Sequence, residues 1–219
     1  GVWVAVGNGG VIRRSTDNGL TWSTVASGKT DNLIYVATNR VGMWIATWGS
    51  GSNGKVLRST DNGQTWSEHV VVANGDLSDN IYGVAWGNGV WICTSRNYVS
   101  RSTDGSNWTD VFVSMFITFG GVAYCGGSTF VLHGGRLDML ITYVSFDNGL
   151  TWNSITTTWE SFRCAAGAGS NLLAGTAFSN SIIRSTNNGA TWTTVWTGSG
   201  EIFDIRQISG SLWFAVGAG

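Results

Sequence analysis

Residues whose side chains carry oxygen atoms recur at equivalent positions along the sequence, each immediately before a short apolar run. The five residues at this position are Asn32, Asp79, Thr118, Glu160 and Glu201. The oxygen atoms of such side chains can coordinate a hard cation such as calcium. A pair of carboxylates about 5–10 Å apart can instead hydrolyse a glycosidic bond, and the three acidic residues of the set are the candidates. The alternative is that all five are solvated residues where strands begin.

A second set of residues combines aromatic rings with hydrogen-bonding groups. It lies in segments that we assign below to variable loops, and it consists of Trp48, Arg96, Tyr98, His133, Arg136, Asp138 and Phe178. Exposed rings offer flat apolar faces to the C–H faces of a sugar, while the polar groups bond its hydroxyls. This combination is typical of a carbohydrate pocket. The alternative is ordinary loop residues, with Trp48 and Phe178 packed onto the scaffold.

The composition excludes several classes of protein. The 219 residues carry 12 Lys and Arg against 13 Asp and Glu, a formal charge of −1. Electrostatic binding of nucleic acid is therefore not expected. Apolar residues make up 42 % of the chain and include 13 Trp, so the chain can build a core and is not disordered. No run approaches the roughly 18 apolar residues of a membrane span, and we predict no membrane insertion.

The cysteines and the first residues also bear on the class of protein. Cys93, Cys125 and Cys164 have no metal-type spacing, and each lies in an apolar run. We predict buried free thiols, not a disulfide scaffold. The start, Gly1-Val2-Trp3, has no basic segment and no initiator Met, so we expect a processed or excised fragment that begins inside folded structure.

One motif, beginning with serine and ending with tryptophan, recurs five times. The copies are Ser15–Trp22, Ser59–Trp66, Ser102–Trp108, Ser145–Trp152 and Ser185–Trp192, and their serines lie 44, 43, 43 and 40 residues apart. The third position is Asp17, Asp61, Asp104, Asp147 and, in the fifth copy, Asn187. Self-similarity at a fixed period indicates a repeat architecture.

Two short apolar runs recur in step with this motif. They are β-branched or aromatic and bounded by turn residues, which is typical of strands. We call the first type strand 1, and it lies at 34–38, 81–85, 120–124, 162–166 and 203–207. Strand 2 lies at 2–6, 43–47, 90–94, 129–133, 171–175 and 212–216. The motif is then the turn between strands 3 and 4.

A period of about 40–45 residues with four strands is typical of a β-propeller blade. The sequence therefore predicts an all-β, five-bladed β-propeller with four antiparallel strands per blade, as one domain over residues 1–219. Strand 1 at 203–207 is expected to complete the blade of residues 11–26, close the ring and remove an open edge. Six copies of strand 2 exceed the five that this ring needs. Either one copy is displaced, or the chain was cut from a longer parent.

The motif resembles the Asp box, or BNR repeat, of sialidase-like propellers, and the resemblance covers essentially the whole chain. In that family the motif occurs in glycosidases, lectins, assembly factors and sorting receptors, so the resemblance implies the fold and leaves the function open. The chemistry of Asp17, Asp61, Asp104, Asp147 and Asn187 indicates a structural role, because such residues accept hydrogen bonds from turn N–H groups. We expect the motif glycine to supply a positive φ and the tryptophan to be buried between blades.

Alternating strands place the turns on two faces of the predicted propeller. The Asp boxes share one face with the tight turns between strands 1 and 2. The other face carries the long, dissimilar loops, and ligand sites on rigid scaffolds tend to lie in such loops. In the closed ring, the polar set of Asn32, Asp79, Thr118, Glu160 and Glu201 is expected to circle the mouth of the central channel. On the Asp-box side, Arg14, Arg58, Arg101 and Arg184 precede the motif serine in four copies, which suggests a shared surface contact.

An enzyme of this family is the less favoured interpretation. Sialidases bind the substrate carboxylate with three arginines, one of them in an Arg-Ile-Pro motif, and this chain contains no proline. The nearest segments are Ser161–Cys164 and Asp204–Gln207, and neither matches well. We therefore predict a protein that is not an enzyme and needs no cofactor, with sialidase-like hydrolysis as an alternative.

A binding module agrees with more of the sequence. A low-charge repeat rich in Gly, Ser, Thr, Asn and Trp resembles lectins and phage or bacterial surface proteins. That resemblance implies adhesion to a glycan or cell-surface receptor and an extracellular, virion-surface or cell-surface location, with an oligomeric parent adding avidity. A protein–protein assembly scaffold is the other alternative.

Overall fold

The structure is a computed structural model. It describes residues 1–48, 52–71, 80–96, 98–112, 119–133, 141–156, 162–176, 178–209 and 212–218. Regular structure in these ranges is β, apart from one 3-10 turn at Asn8–Gly10. None of the described segments forms a helix with the length and apolar character needed to cross a bilayer. The chain divides into two units, Gly1–Phe112 and Val113–Gly219.

The first unit has three antiparallel sheets in its described residues, and neighbouring strands in each sheet are consecutive along the chain. The first sheet consists of β1 (Trp3–Val6), β2 (Ile12–Ser15) and β3 (Ser23–Val25). The second consists of β4 (Tyr35–Thr38), β5 (Trp44–Thr47), β6 (Lys55–Ser59) and β7 (Ser67–Val70). The third consists of β8 (Gly83–Gly87), β9 (Val90–Thr94), β10 (Tyr98–Ser102) and β11 (Thr109–Phe112).

The second unit, as far as it is described, also has three antiparallel sheets. One consists of β12 (Gly121–Tyr124), β13 (Phe130–His133), β14 (Ile141–Ser145) and β15 (Asn153–Thr156). The next consists of β16 (Phe162–Ala168), β17 (Asn171–Thr176), β18 (Ser181–Ser185) and β19 (Thr193–Thr197). The last is a hairpin of β20 (Ile202–Ser209) and β21 (Leu212–Gly217).

The strand pattern confirms most of the sequence prediction. All predicted copies of strands 1 and 2 form strands, and four sheets have the four antiparallel strands expected of a blade. The prediction that 203–207 completes the first sheet would join the two units, and it stays a prediction. This segment pairs with β21, while the sheet of β1 to β3 has three strands. Pairing of β20 with β21 costs little conformational entropy, because the connection between them is short. Both end copies of strand 2 are thus paired strands, and ring closure remains a prediction.

Apolar side chains fill both faces of the second sheet, as β5 shows. Successive residues of a strand point to opposite faces, so Ile45 packs in a cluster with Trp91 of the third sheet and Ala46 packs with Ile12 of the first. This two-sided burial explains why the strand sequences are continuously apolar. The motif residue Trp66 packs against the Ile12 cluster, as predicted, whereas Trp22 remains 42 % exposed.

The second unit is packed in the same way. Val131 and Val144 lie in one cluster with Phe162 and Leu172 of the next sheet. Another cluster joins that sheet to β20, through Cys164 and its neighbours Ile202 and Ile205. All three cysteines of the chain are buried and free, which confirms the prediction. Burial raises the pKa of Cys125 to about 12.

Each Asp box is fixed by hydrogen bonds around one serine and one acidic or amide side chain. In the second copy, Ser59 Oγ donates to Asp61 Oδ1 at 2.7 Å and accepts from the Gly63 N–H at 2.9 Å. The Thr65 N–H donates to Asp61 Oδ1 at 2.9 Å, and the Thr65 hydroxyl donates to Asp61 Oδ2 at 2.6 Å. The chain reverses through two residues of positive φ, Asn62 at 60° and Gly63 at 77°. These are the bonds expected of a turn-forming aspartate.

The fifth copy makes the corresponding bonds without a carboxylate. Asn187 Oδ1 accepts from Ser185 Oγ and from the Thr191 N–H, both at 2.9 Å. Its Nδ2 donates to Thr191 Oγ1 at 2.9 Å, so the threonine hydroxyl changes from donor to acceptor. The oxygen acceptor is therefore common to both versions of the turn, and the charge is not.

The Asp boxes lie beside the turns between strands 1 and 2, as predicted. The box amide N–H groups of Asn62, Asn148 and Asn188 donate to the carbonyls of Gly42, Ser128 and Ser170 at 2.9, 3.0 and 3.1 Å. In the first unit, arginines of the preceding sheet also reach the boxes. Arg14 Nε donates to the Asn62 carbonyl at 2.6 Å, and Arg58 Nη2 lies 3.5 Å from the Asp104 carbonyl. The predicted arginine contact thus links neighbouring sheets in these two cases.

Replacing Asp61 separates the contribution of the acceptor from that of the charge. We expect Asp61→Ala to lower the free energy of unfolding by about 1–3 kcal/mol, because it leaves turn N–H and hydroxyl groups without an acceptor. Asp61→Asn, which copies the fifth box, should lose less than about 1 kcal/mol. Urea unfolding of both variants measures the difference, and equal losses would contradict the role of the acceptor oxygen.

Candidate functional site

The loop face named in the sequence analysis is only partly described. Arg136, Asp138, Asp79, Thr118 and Glu160 lie outside the described residues. The remaining predicted ligand residues belong to different units: Arg96 and Tyr98 to the first, His133 and Phe178 to the second. Arg96 is exposed, and Phe178 is 50 % exposed. Tyr98 is half-buried, and its N–H donates to Ser95 Oγ at 3.3 Å.

Trp48 is not the exposed stacking platform that the sequence suggests. Only 2 % of its surface is exposed, because the alternation of β5 directs it into the same cluster as Ala46. Lys29 covers the ring, with Nζ 4.4 Å from its centroid. The expectation that Trp48 stacks on a sugar is therefore wrong, and the alternative of packing onto the scaffold is right for this residue.

The predicted ring of polar residues is represented by Asn32 and Glu201 in the described segments. Asn32 is exposed, and its Oδ1 accepts from the Gly9 N–H at 2.9 Å. Glu201 forms an ion pair with Arg163, with Oε1 2.9 Å from Nη2. No group of three His, Cys, Asp or Glu side chains is placed to hold a metal ion in the part of the chain that the structure describes. Because Asp79 and Glu160 lie outside the described residues, the calcium hypothesis stays a prediction.

Two β-bulges direct side chains outward at equivalent places in the second unit. The pairing of β16 with β17 shifts between Phe162 and Cys164, so Arg163 is the extra residue. The pairing of β20 with β21 shifts between Ile202 and Asp204, so Phe203 is the extra residue. A bulge bends its strand and re-aims the side chain, and bulges are frequent near functional sites. Arg163 and Phe203 are both exposed.

The two bulge residues are in contact, although their strands belong to different sheets. The guanidinium carbon of Arg163 lies 5.8 Å from the centroid of the Phe203 ring, within the range of a cation–π contact. Further along β20, Arg206 Nε lies 3.0 Å from Asp204 Oδ2. We call Arg163, Glu201, Phe203, Asp204 and Arg206 the Arg163 patch. It contains two cations, two anions and one exposed ring.

A glycine allows the two strands of the patch to approach each other. Gly175 of β17 pairs with Cys164. A Cβ at this position would lie 2.7 Å from Ile202 Cβ and 2.8 Å from Cys164 Sγ, closer than side-chain atoms can pack. Any larger residue would therefore push β20 away from β16 and separate Phe203 from Arg163.

His133 is buried beside the backbone of this patch. It is 8 % exposed and pairs in register with Gly121, where a Cβ would overlap its ring. Its Nδ1 has no hydrogen-bond partner among the described residues. Burial lowers the pKa of His133 to about 4; a contact with the Arg163 backbone opposes this effect, and the charge of Arg206 adds to it. His133 is thus a neutral, buried residue and not an exposed ligand contact.

Sequence reasoning missed Phe203 and gave Arg163 and Arg206 no role beyond a weak match to arginines of sialidases. The sequence carries a weak signal for Arg163 alone, because it is a charged residue inside an apolar strand-1 run. Phe203 is apolar, and nothing in its local sequence marks it as the extra residue of a bulge.

Comparisons with known proteins agree with the blade architecture. The BNR/Asp-box repeat family matches residues 57–68 and 143–154, which are the second and fourth copies of the motif. Among curated proteins, no sequence matches the chain.

Solved structures are similar across most of the chain. A structure described as YCF48 bound to D1 peptide has a TM-score of 0.73 at 17 % identity, covering 98 % of this chain and 70 % of that one. YCF48 from Cyanidioschyzon merolae gives 0.66 at 16 %, covering 99 % and 77 %. The GH74 xyloglucanase from Xanthomonas campestris gives 0.67 at 13 %, covering 91 % and 38 %. At these identities the likeness shows the fold alone: an all-β repeat protein of the β-propeller type with BNR/Asp-box motifs.

The buried imidazole predicts a specific pH dependence of stability. Because the folded-state pKa of His133 lies below the ordinary value of 6.5, the unfolded chain binds a proton first as the pH falls. The free energy of unfolding should then decrease between about pH 6.5 and 4, by at most about 1.4 kcal/mol per pH unit. His133→Asn should remove this decrease.

A matched control is available in the first unit. His69 is only half-buried, and burial and the charge of Arg58 lower its pKa less strongly. His69→Asn should leave most of the decrease in place when unfolding is followed across the same pH range. If the His133 and His69 variants behave alike, the assignment to His133 is wrong.

Proposed function

We propose that this chain is a non-catalytic binding module that recognises a polypeptide through the Arg163 patch and needs no cofactor. The observation that carries the proposal is the pair of bulges that expose Arg163 and Phe203 in contact with each other, on the first strands of two successive sheets. Arginine and aromatic residues provide much of the binding energy at protein interfaces. Their mutual contact holds both side chains in place, which lowers the entropic cost of binding.

The charges of the patch support a ligand contact better than a contribution to stability. The side chains of both ion pairs are 40 % to 67 % exposed, and exposed ion pairs contribute only about 0–1 kcal/mol to folding. With Phe203 at 52 % exposure, the patch presents both signs of charge around an apolar ring. A polypeptide segment with an apolar side chain between charged or polar groups complements such a surface.

The absence of catalysis is part of the proposal and rests on the environment of the carboxylates. Glu201 and Asp204 are each paired with an arginine. A glycosidase uses a pair of carboxyl groups that flank the scissile bond, whereas each carboxylate of the patch already has a guanidinium partner. The YCF48 structure that carries a D1 peptide supports a peptide ligand for this fold.

Carbohydrate recognition at a virion, cell or extracellular surface is the second candidate. The half-exposed rings of Phe178 and Phe203 favour it, since flat apolar faces suit a sugar ring. The burial of Trp48 weakens it, because the largest ring in the predicted platform is not accessible.

Parallel screens of a peptide library and a glycan array would test the proposal. We expect selected peptides to bind, with Phe203→Ala weakening binding about tenfold or more, as for an interface residue worth over 1 kcal/mol. Leu150→Ala is the matched control, because Leu150 is 57 % exposed in the same unit but lies in an Asp box. Glycan binding without peptide binding would favour the second candidate. Turnover of a fluorogenic glycoside that is lost in Glu201→Gln would contradict a non-catalytic role.

A further inference from the structure

Asparagine followed by glycine is the most frequent turn dipeptide of this chain. The asparagines of the eight copies are Asn8, Asn18, Asn53, Asn62, Asn74, Asn88, Asn148 and Asn188. Asn74 lies outside the described residues. Four of the others, Asn18, Asn62, Asn148 and Asn188, lie in Asp boxes. The remaining copies lie in other turns, so the same dipeptide occurs in different hydrogen-bonding environments.

The Asn-Gly dipeptide carries its own chemical reactivity. The glycine backbone nitrogen loses its proton and attacks the asparagine Cγ, forming an N–Cγ bond while the Cγ–Nδ2 bond breaks and ammonia leaves with the proton. Water then opens the resulting succinimide at either carbonyl and gives aspartate or isoaspartate. Glycine makes the attack easy because no side chain blocks its nitrogen. The reaction requires solvent water, a base to accept the proton and a glycine N–H that is free to react.

In the Asp box, that N–H is held in a hydrogen bond. The N–H groups of Gly19, Gly63, Gly149 and Gly189 donate to the motif serine hydroxyls at 2.9, 2.9, 2.8 and 2.8 Å. This bond must break before the nitrogen can lose its proton and turn toward the asparagine. The Gly9 N–H is engaged as well, by Asn32 Oδ1 at 2.9 Å.

We propose that Asn88 is a site of spontaneous deamidation, and that the motif serines protect the four Asp-box asparagines from the same reaction. Asn88 and Gly89 form the two-residue turn between β8 and β9, with φ values of 45° and 81°. Both residues are exposed. In the described structure no hydrogen bond to the Gly89 N–H is found, because the ladder pairs Gly87 with Val90. Asn53 lies in a similar turn, but Gly54 is buried, which limits access of water and base.

Deamidation at this turn would alter the first unit in two ways. It would add a negative charge to a chain of formal charge −1. The isoaspartate product would also lengthen the backbone by one carbon inside a tight hairpin, next to Val90 and Trp91, which are buried. The modified chain is therefore expected to have a strained hairpin.

Peptide mapping by mass spectrometry tests the proposal on the whole chain, incubated at mildly alkaline pH. Asn88 should deamidate about tenfold or more faster than Asn62, since breaking one hydrogen bond before attack raises the barrier. In denaturant the two rates should converge. Equal rates at Asn88 and Asn62 in the folded chain would overturn the proposal.

Ser59→Ala isolates the protective bond. It removes the acceptor of the Gly63 N–H, so deamidation at Asn62 should rise about tenfold while Asn148 and Asn88 keep their rates. Asn18 lies in an intact Asp box of the same unit and Asn148 in one of the second unit, so a loss of folding would be recognised as a rise at Asn18 or Asn148. An unchanged rate at Asn62 would show that the serine gives no protection.

Discussion

The hydrogen bonds of the Asp-box serine and its acidic or amide partner are the interaction on which the rest of the structure depends. A chain that reverses through two residues of positive φ leaves several N–H groups pointing inward, and each needs an acceptor. The Ser59 hydroxyl and the Asp61 side chain supply these acceptors within one turn. Burial alone would raise the pKa of Asp61, but the hydrogen bonds to its carboxylate together outweigh this effect and lower the pKa to about 2. The turn therefore keeps its form over a wide range of pH.

A fixed turn sets the register of the strands that follow and precede it. β6 and β7 pair from Lys55 opposite Val70 to Arg58 opposite Ser67, and this register directs Val56 and Leu57 into two different clusters. Packing between sheets then depends on the turn at one end of each pair of strands. At the same end of the strands, Arg14 and Arg58 each contact the Asp box of the next sheet. The proposed site lies at two of the register shifts in the second unit, those that make Arg163 and Phe203 extra residues of β16 and β20.

The sequence was sufficient to predict the strands and the Asp-box turns, but it was insufficient to predict the candidate site. Strands such as Trp44–Thr47 could be predicted because apolar character, β-branching and a fixed period agree. The Asp-box role of Asp61 could be predicted because every contact is local to eight residues. Trp48 could not be placed, because an aromatic residue just after a strand is equally compatible with a loop surface and with a core. The Arg163 patch was missed because it depends on a register shift, and nothing in the local pattern fixes which residue of a strand becomes the extra one. Segment 203–207 pairs with the strand that follows it in sequence, and its predicted place in the first sheet rests on ring symmetry alone.

Amide hydrogen exchange followed by NMR tests the central claim most directly. The N–H groups of Thr21, Thr65, Thr151 and Thr191 belong to exposed residues but donate to the Asp or Asn of their box. The account predicts that these amides exchange as slowly as those of the flanking strands. Exchange at the rate of an unstructured turn, with the strands still protected, would show that the boxes do not hold the blades together.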